Sequence, residues 1–199
     1  ESQPWKWAKG VGHLWRTTAD IRDCYRCRFD WGGVGVLDII DTLAELYPYA
    51  GPGHWNDAEM LEIGNGGMTH DEYITHFSMW SMLAAPLMAG NDLRAMDKET
   101  LEILTNKEVI AVDQDSLGQQ ARRFMDMGEQ EIWAKPLAHG EVAVCFLNRS
   151  DVEWKLDYNW TKNTMYFATD VNIGKNEYTI RDLWKRKDIG STKLNTKST

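Results

Sequence analysis

The sequence predicts an α/β part with a parallel sheet over residues 1–117, followed by an all-β antiparallel part over residues 118–199. Two observations predict this division. Up to about residue 115, short apolar segments alternate with helical patterns three times, which is typical of βα units. After Leu117 and Gly118 the apolar period becomes two residues, as in antiparallel strands. The 10 Trp, 7 Tyr and 5 Phe of the 199 residues supply ample apolar surface for a core.

The first part contains three predicted strands, at residues 12–18, 54–61 and 86–90. Apolar residues at helical spacing predict a helix after the first strand: Val36, Ile39, Ile40, Leu43 and Leu46. Thr69 and Glu72 form a capping box for a second helix. Its inner face is predicted to contain Tyr73, His76, Phe77, Trp80 and Leu83. A third helix is capped by Asp97, with Leu101 and Leu104 pointing inward.

The second part contains alternating segments that predict an antiparallel sandwich. The candidate strands are residues 132–136, 142–147, 152–156 and 178–180. Turn residues such as His139 and Gly140 separate them, and we expect the polar tail after Ile189 to be loose.

Charge and hydropathy exclude two classes of partner. The net charge is −8, and the one basic cluster, residues 185–187, is offset by Asp182 and Asp188. Nucleic acid is therefore an unfavourable partner. No apolar run approaches the roughly 20 residues that cross a bilayer, so we expect no membrane span.

Cys24 and Cys27 have CxxC spacing, which allows a zinc site, a redox pair, a local disulfide or two incidental cysteines. No second ligand pair follows for zinc, and we favour two incidental, half-buried cysteines. The five histidines stand singly, so we expect them to be structural and expect no metal site. Residues 148–150 and 159–161 fit the N-glycosylation pattern.

Polar residues concentrate where two of the predicted parallel strands end, at residues 15–20 and 55–60. Active residues of parallel α/β folds lie at such ends. Carboxylates flanked by Trp and Arg are typical of a sugar site, because aromatic faces cover pyranose C–H groups and paired acids cleave acetals. The alternative is structural: Asp20 caps a helix and Arg16 pairs with it. The pattern alone favours this alternative.

Four stretches identify a family. They read WRTTADI at 15–21, AGPGHWNDAEMLEIGNGGMT at 50–69, AAPLMAGNDL at 84–93 and NKEVIAVDQDSLG at 106–118. They resemble the α-galactosidases of glycoside hydrolase family 27. The resemblance implies a (β/α)8 barrel followed by an antiparallel β-sandwich domain. Because a whole barrel takes about 250 residues, this chain would hold only the last three βα units, strands six to eight, and an incomplete β domain.

The resemblance also implies roles for particular residues. Family members hydrolyse terminal α-galactosides with retention, which requires a nucleophile and an acid/base. Asp20 matches the acid/base and Arg16 matches an arginine that binds sugar hydroxyls. Glu59 and Met60 occupy substrate-binding positions, although Ala58 and Glu59 replace the usual Pro and Asp. We expect Ala58 to loosen this turn. The family's nucleophile lies on a strand that this sequence does not contain.

The leading hypothesis is therefore that the chain is part of a retaining α-galactosidase and that the 199 residues are inactive by themselves. An α-N-acetylgalactosaminidase of the same family is the alternative substrate class. A non-catalytic sugar-binding fragment and a metal or redox protein using Cys24 and Cys27 are the remaining hypotheses. The resemblance implies no cofactor, an α-galactoside substrate, an N-terminal barrel half as partner, and a secreted, periplasmic or lysosomal location. It also allows a homodimer.

Overall fold

The computed structural model describes residues 2–163, 165–167 and 173–197. In its first part, strands β1 (Leu14–Arg16) and β2 (Trp55–Asp57) pair in parallel, with Leu14 opposite Trp55 and Arg16 opposite Asp57. The predicted third strand contributes one parallel bridge, between Leu61 and Ala89. The helices are α1 (Val36–Leu43), α2 (His70–Leu83), α3 (Lys98–Leu104) and α4 (Lys107–Asp113). The parallel βα arrangement is thus confirmed, with the third strand shorter than predicted.

Helix α1 packs its apolar side into the core, as its spacing predicts. Val36, Ile39, Ile40 and Leu43 are all fully buried. The amides of Gly35, Val36 and Leu37 donate hydrogen bonds to the carbonyls of Cys27, Cys24 and Tyr25, at 2.8, 3.1 and 3.0 Å. A tight turn at residues 24–27 therefore satisfies amides that a helix start leaves unpaired.

Cys24 and Cys27 form a disulfide across this turn, so the favoured interpretation of two incidental cysteines is wrong. The turn brings their Cα atoms to 6.2 Å, within the range that a disulfide can span. Because both sulfurs are bonded, neither offers a thiolate to zinc. The thiol of Cys145 is free, and burial raises its pKa to about 12.

The capping predictions for α2 and α3 are confirmed. The Thr69 hydroxyl accepts from the Glu72 amide at 3.3 Å, and the Glu72 carboxylate accepts from the Thr69 amide at 2.7 Å. The Asp97 carboxylate accepts from the Thr100 amide at 2.7 Å. Leu101, predicted to point inward, is 45% exposed. Ile103 takes the inner position instead, because Thr100 and Ile103 form the face that packs on the core.

The second part is antiparallel throughout its described strands. β3 (Arg122–Asp126), β4 (Gln130–Pro136) and β5 (Val142–Asn148) form a meander. Two further pairs are β6 (Asp157–Tyr158) with β9 (Thr196–Lys197), and β7 (Thr179–Asp182) with β8 (Lys187–Ser191). Short 3-10 helices occupy Pro4–Lys6, Ala8–Gly10, Tyr47–Tyr49 and Ala138–Gly140.

Two predictions about this part are wrong. Residues 152–156 form no strand, because the side chains of Asn148 and Ser150 bond a turn that leaves Val152 74% exposed. The tail after Ile189 is not loose as far as residue 197, since β9 pairs with β6.

Two apolar clusters hold the chain together. The larger one contains the inner faces of the four helices and continues into the β part through Ala121, Trp133, Ala143 and Leu147. The smaller one is aromatic and surrounds Phe146, whose ring meets those of Trp154, Tyr158 and Trp160 edge-on. Within the described ranges, no helix has the length and apolar character needed to cross a bilayer.

Candidate active site

The predicted site residues after the two parallel strands come together around Arg16. This residue ends β1, and Glu59 lies two residues past the end of the neighbouring β2. The Arg16 guanidinium donates through Nη2 to Asp20 Oδ1 at 3.1 Å and through Nη1 to Glu59 Oε1 at 3.2 Å. We call Arg16, Asp20 and Glu59 the open cluster. Its partners come from two strand ends because parallel strands place their carboxyl ends at one edge.

Four hydrogen bonds hold Glu59, and the bond from Arg16 given above is one of them. Its φ of 77° lies in the left-handed region that few non-glycine residues adopt. Its amide donates to Asp57 Oδ1 and its carbonyl accepts from Trp80 Nε1, both at 2.8 Å. Its Oε2 accepts from the Ile21 amide at 3.1 Å. Ala58, which we expect to loosen this turn, is fully buried, and its effect on the backbone freedom of the turn stays a prediction.

Asp20 is the accessible member of the open cluster. Its side chain is 69% exposed, against 16% for Glu59. The next residue, Ile21, forms a parallel bridge with Val34, so Asp20 begins an extended segment and caps no helix. Pairing with Arg16, the other half of the structural alternative, is observed. The open cluster therefore presents one carboxylate to solvent, with a guanidinium fixed beside it.

Met60 and Trp15 have different surroundings. Met60 packs against Gly90 at the end of the third predicted strand, where an added Cβ would lie 2.8 Å from the Met60 sulfur. Trp15, one of the tryptophans beside the carboxylates at the strand ends, is only 5% exposed and donates to Asn56 Oδ1 at 2.8 Å. Along β1 the side chains alternate, so Trp15 points into the core while Arg16 points out.

A buried polar layer supports Glu59 from behind. His76 is fully buried, and its ring meets that of Trp80 edge-on at 4.0 Å between centroids. His76 Nε2 accepts from the Glu62 amide at 3.1 Å. Burial lowers the pKa of His76 to about 3, so its ring is neutral at physiological pH. His76 is thus structural, as predicted.

Asp23 and Tyr73 link the loops that follow β1 and β2, and the sequence analysis did not single them out for this. The Tyr73 hydroxyl donates to Asp23 Oδ1 at 3.0 Å across 50 residues of chain. The only signal in the sequence is that a Tyr on an inner helix face needs a partner for its hydroxyl. Among the described residues, no three His, Cys, Asp or Glu side chains cluster so as to hold a metal ion.

Parallel βα units with polar strand ends, followed by antiparallel strands, place the chain in the class of α/β proteins with a C-terminal β part. Residues 5–115 match the family model described as alpha galactosidase A. Residues 127–199 match the model of the alpha galactosidase C-terminal beta sandwich domain. The chain belongs to this α-galactosidase family, glycoside hydrolase family 27.

Individual relatives agree with this assignment. Alpha-galactosidase A of Cellvibrio japonicus is 47% identical over 201 residues, which cover 97% of this chain and 49% of that protein. Alpha-galactosidase 2 of Arabidopsis thaliana is 42% identical over 193 residues, which cover 97% of this chain and 45% of the relative. The crystal structure of alpha-galactosidase I from Mortierella vinacea superposes with a TM-score of 0.90 at 33% identity, covering 98% of this chain and 52% of that one. The chain thus spans about half the length of the relatives that it matches.

Proposed function

We propose that this chain is the C-terminal half of a retaining α-galactosidase and supplies its acid/base and part of its sugar-binding site. The observation that carries the proposal is the open cluster, in which Arg16 joins Asp20 and Glu59 across two neighbouring strand ends. Residues 1–117 would complete the barrel with an N-terminal half, and residues 118–199 would form the β domain.

Asp20 is the proposed acid/base. Arg16 binds Oδ1, and Oδ2 has no partner within the described residues, which leaves that oxygen available to substrate. In the first step the protonated carboxyl gives its proton to the glycosidic oxygen while a nucleophile attacks the anomeric carbon. In the second step the Asp20 carboxylate takes a proton from water, which displaces the enzyme from the sugar with overall retention. The nucleophile would come from the N-terminal half of the barrel.

Glu59, Met60 and Arg16 are the proposed sugar-binding residues. Glu59 is fixed in direction by Arg16 and the Ile21 amide, so a sugar hydroxyl would meet a carboxylate that need not reorient. Met60 would offer an apolar contact beside Gly90. The relatives named above are α-galactosidases, which favours galactose over its 2-acetamido derivative.

The proposed location is secreted, periplasmic or lysosomal. The Cys24–Cys27 disulfide supports it, because such bonds persist mainly in oxidising compartments. The homodimer stays a prediction.

The test is to assay the full-length polypeptide that contains this segment on methyl α-galactoside and methyl α-N-acetylgalactosaminide, whose leaving oxygens need a proton, with NMR to follow the configuration of the first-formed sugar. We expect turnover of the galactoside with retention, and a 10²- to 10⁴-fold loss in Asp20→Asn, the range for removing a general acid/base. Asp30→Asn removes another exposed carboxylate of the same loop and is the matched control.

Four results would count against parts of this proposal. Turnover of neither substrate by the folded wild type, or turnover that Asp20→Asn leaves unchanged, would overturn the catalytic assignment. Preference for the 2-acetamido substrate would establish the alternative substrate class. Turnover by the isolated 199-residue chain would overturn the missing-nucleophile proposal, since we expect that chain to be inactive.

A further inference from the structure

We propose that Asp23 and Tyr73 form a cross-tie between the two strand-end loops and thereby position Asp20 for proton transfer. The loops are residues 17–35, after β1, and residues 58–69, after β2. This inference rests on the proposed function, because it assigns Asp20 the acid/base role. Asp23 and Tyr73 are positioning residues: they touch Asp20 only through the backbone between them.

The Tyr73 hydroxyl is the centre of the cross-tie. It donates to Asp23, with Oδ1 at 3.0 Å and Oδ2 at 3.2 Å, and accepts from the Gly66 amide at 2.6 Å. The Asp23 Oδ2 also accepts from the Gly67 amide at 2.5 Å. The hydroxyl therefore uses both its donor and its acceptor capacity, and each bond joins different parts of the chain. Burial raises the pKa of Tyr73, so the hydroxyl keeps its proton to donate.

The two loops also touch through their backbones. An added Cβ on Gly67 would lie 2.1 Å from the Asp23 carbonyl oxygen, far inside van der Waals contact. Only glycine allows the loops to approach this closely at residue 67. The cross-tie thus holds a contact with little freedom to shift.

The segment from Asp20 to Asp23 is fixed at both ends. At its start the Ile21 amide donates to Glu59 Oε2 at 3.1 Å. At its end Asp23 is held by Gly67 and Tyr73. Between these points the Val34 amide donates to the Asp20 carbonyl at 3.0 Å, and the Arg22 amide donates to the Val34 carbonyl at 2.9 Å. Without the Asp23 anchor the segment keeps only its bonds to Glu59 and Val34, and the freedom gained at its C-terminal end would shift the Asp20 carboxyl.

The effect of a variant on substrates with different leaving groups distinguishes a misplaced acid from a general loss of structure. A misplaced acid slows only the substrates whose leaving group needs a proton. An alkyl α-galactoside needs its leaving oxygen protonated, whereas a dinitrophenyl α-galactoside releases a stable anion without protonation. In Tyr73→Phe we expect kcat/KM on the methyl galactoside to fall by roughly 10- to 100-fold, the scale for a misplacement of about 1 Å. On the dinitrophenyl galactoside we expect a fall of less than about 3-fold. Both assays use the full-length polypeptide.

Tyr158→Phe is the matched control. It removes a buried hydroxyl that donates to the Asn163 carbonyl at 3.0 Å in the β domain, so it should affect the two substrates equally. An equal fall on both substrates in Tyr73→Phe would overturn the positioning role. If Tyr73→Phe does not fold, Asp23→Asn keeps the side-chain size, weakens the acceptor, and should show the same leaving-group dependence.

Amide hydrogen exchange tests the cross-tie without activity. In Tyr73→Phe, or in Asp23→Asn if that variant replaces it, we expect faster exchange of the Ile21 and Gly67 amides than in wild type, with no change in Tyr158→Phe. If the Ile21 amide exchanges at the wild-type rate in this variant, the inference is overturned, whatever the variant's activity. If the wild type turns over no glycoside, the proposed function fails, and exchange still decides whether the cross-tie holds the segment.

Discussion

Two arginine–carboxylate clusters in this molecule use the same residue types but differ in burial and in how many partners their carboxylates have. The open cluster joins Arg16 to carboxylates from two strand ends. A second group, here called the closed cluster, consists of Arg123, Arg149, Glu131 and Asp41. Asp41 lies on α1 and the other three belong to the β part, so the closed cluster joins the two parts of the chain.

Burial separates the two clusters. Glu131 is fully buried and accepts from Trp133 Nε1 at 2.7 Å, Arg123 at 3.0 Å and Arg149 at 2.5 Å. Arg149 also donates twice to Asp41, at 2.8 and 2.7 Å. The Asp20 carboxylate, by contrast, is mostly exposed. The closed cluster thus satisfies Glu131 from inside the fold, whereas the open cluster leaves one Asp20 oxygen without a partner in the part of the chain that the structure describes.

The largest expected effect comes from breaking the closed cluster. In Glu131→Gln two guanidinium groups lose a buried counter-charge, and breaking such a pair costs about 3–5 kcal/mol of unfolding free energy. Denaturant titration of the full-length polypeptide measures it. Glu129→Gln, which removes an exposed carboxylate paired with Arg26 at 2.7 Å, should change stability by less than about 1 kcal/mol. Equal effects of the two variants would show that the burial of Glu131 does not increase its contribution to stability.

The buried polar layer behind Glu59, which contains His76, should make the free energy of unfolding depend on pH. His76 has a pKa of about 3 in the folded chain and about 6.5 when unfolded, so the unfolded state binds the extra proton between these values. Stability is therefore lost as pH falls below about 6.5, by about 2 kcal/mol between pH 7 and pH 5.

His76→Gln should remove this part of the pH dependence, whatever its effect on stability at pH 7. The exposed His139→Gln is the control and should leave the dependence unchanged. The measurement is the unfolding free energy at pH 7, 6 and 5. The same slope in His76→Gln and wild type would contradict a neutral His76.

A smaller effect is expected at the exposed edge of the closed cluster. Asp41 is 43% exposed, so water can partly replace its pairing with Arg149. Asp41→Asn should lower the free energy of unfolding by about 1 kcal/mol, which is in the range measured for exposed ion pairs. A double-mutant cycle with Glu131→Gln should show non-additivity of at least about 0.5 kcal/mol, because both carboxylates bind Arg149. Strict additivity would mean that the four residues do not act as one cluster.

The smallest effect on stability is expected in the open cluster, with a large effect on activity. Arg16→Lys keeps the charge but loses the planar fork that bonds two carboxylates at once. We expect a stability change within about 0.5 kcal/mol. We also expect a fall in kcat/KM of about 10- to 100-fold, the equivalent of one charge-assisted hydrogen bond. A loss of stability without a loss of activity would reverse the assignment of the two clusters.

Local signals in the sequence predicted much of the α/β part. The capping box of Thr69 and Glu72 and the Asp97 cap act within three residues, and the buried face of α1 follows from its own spacing. The adjacency of Arg16 and Glu59 was predictable from a rule of topology, since parallel strands end at one edge. The caps and the buried face are properties that a short segment carries by itself, and the adjacency requires only that the two strands pair in parallel.

The sequence could not predict contacts that depend on how distant segments pack. Residues 152–156 alternate like a strand, yet a turn held by Asn148 and Ser150 keeps them out of the described strands. The link between Asp23 and Tyr73 depends on the close approach at Gly67, which no periodicity reports. The disulfide of Cys24 and Cys27 depends on a turn that also caps α1, and CxxC spacing alone left several interpretations open.

The left-handed backbone at Glu59 limits which side chains can replace glutamate at that position. Valine, isoleucine and threonine are strained at a φ of 77° because their branched Cβ meets the backbone. Aspartate, asparagine and glycine tolerate it. A mutagenesis library aimed at new sugar specificity would therefore sample residue 59 mainly among these three and glutamate. Substitutions that add bulk would be better directed at Met60, whose φ is not in that region.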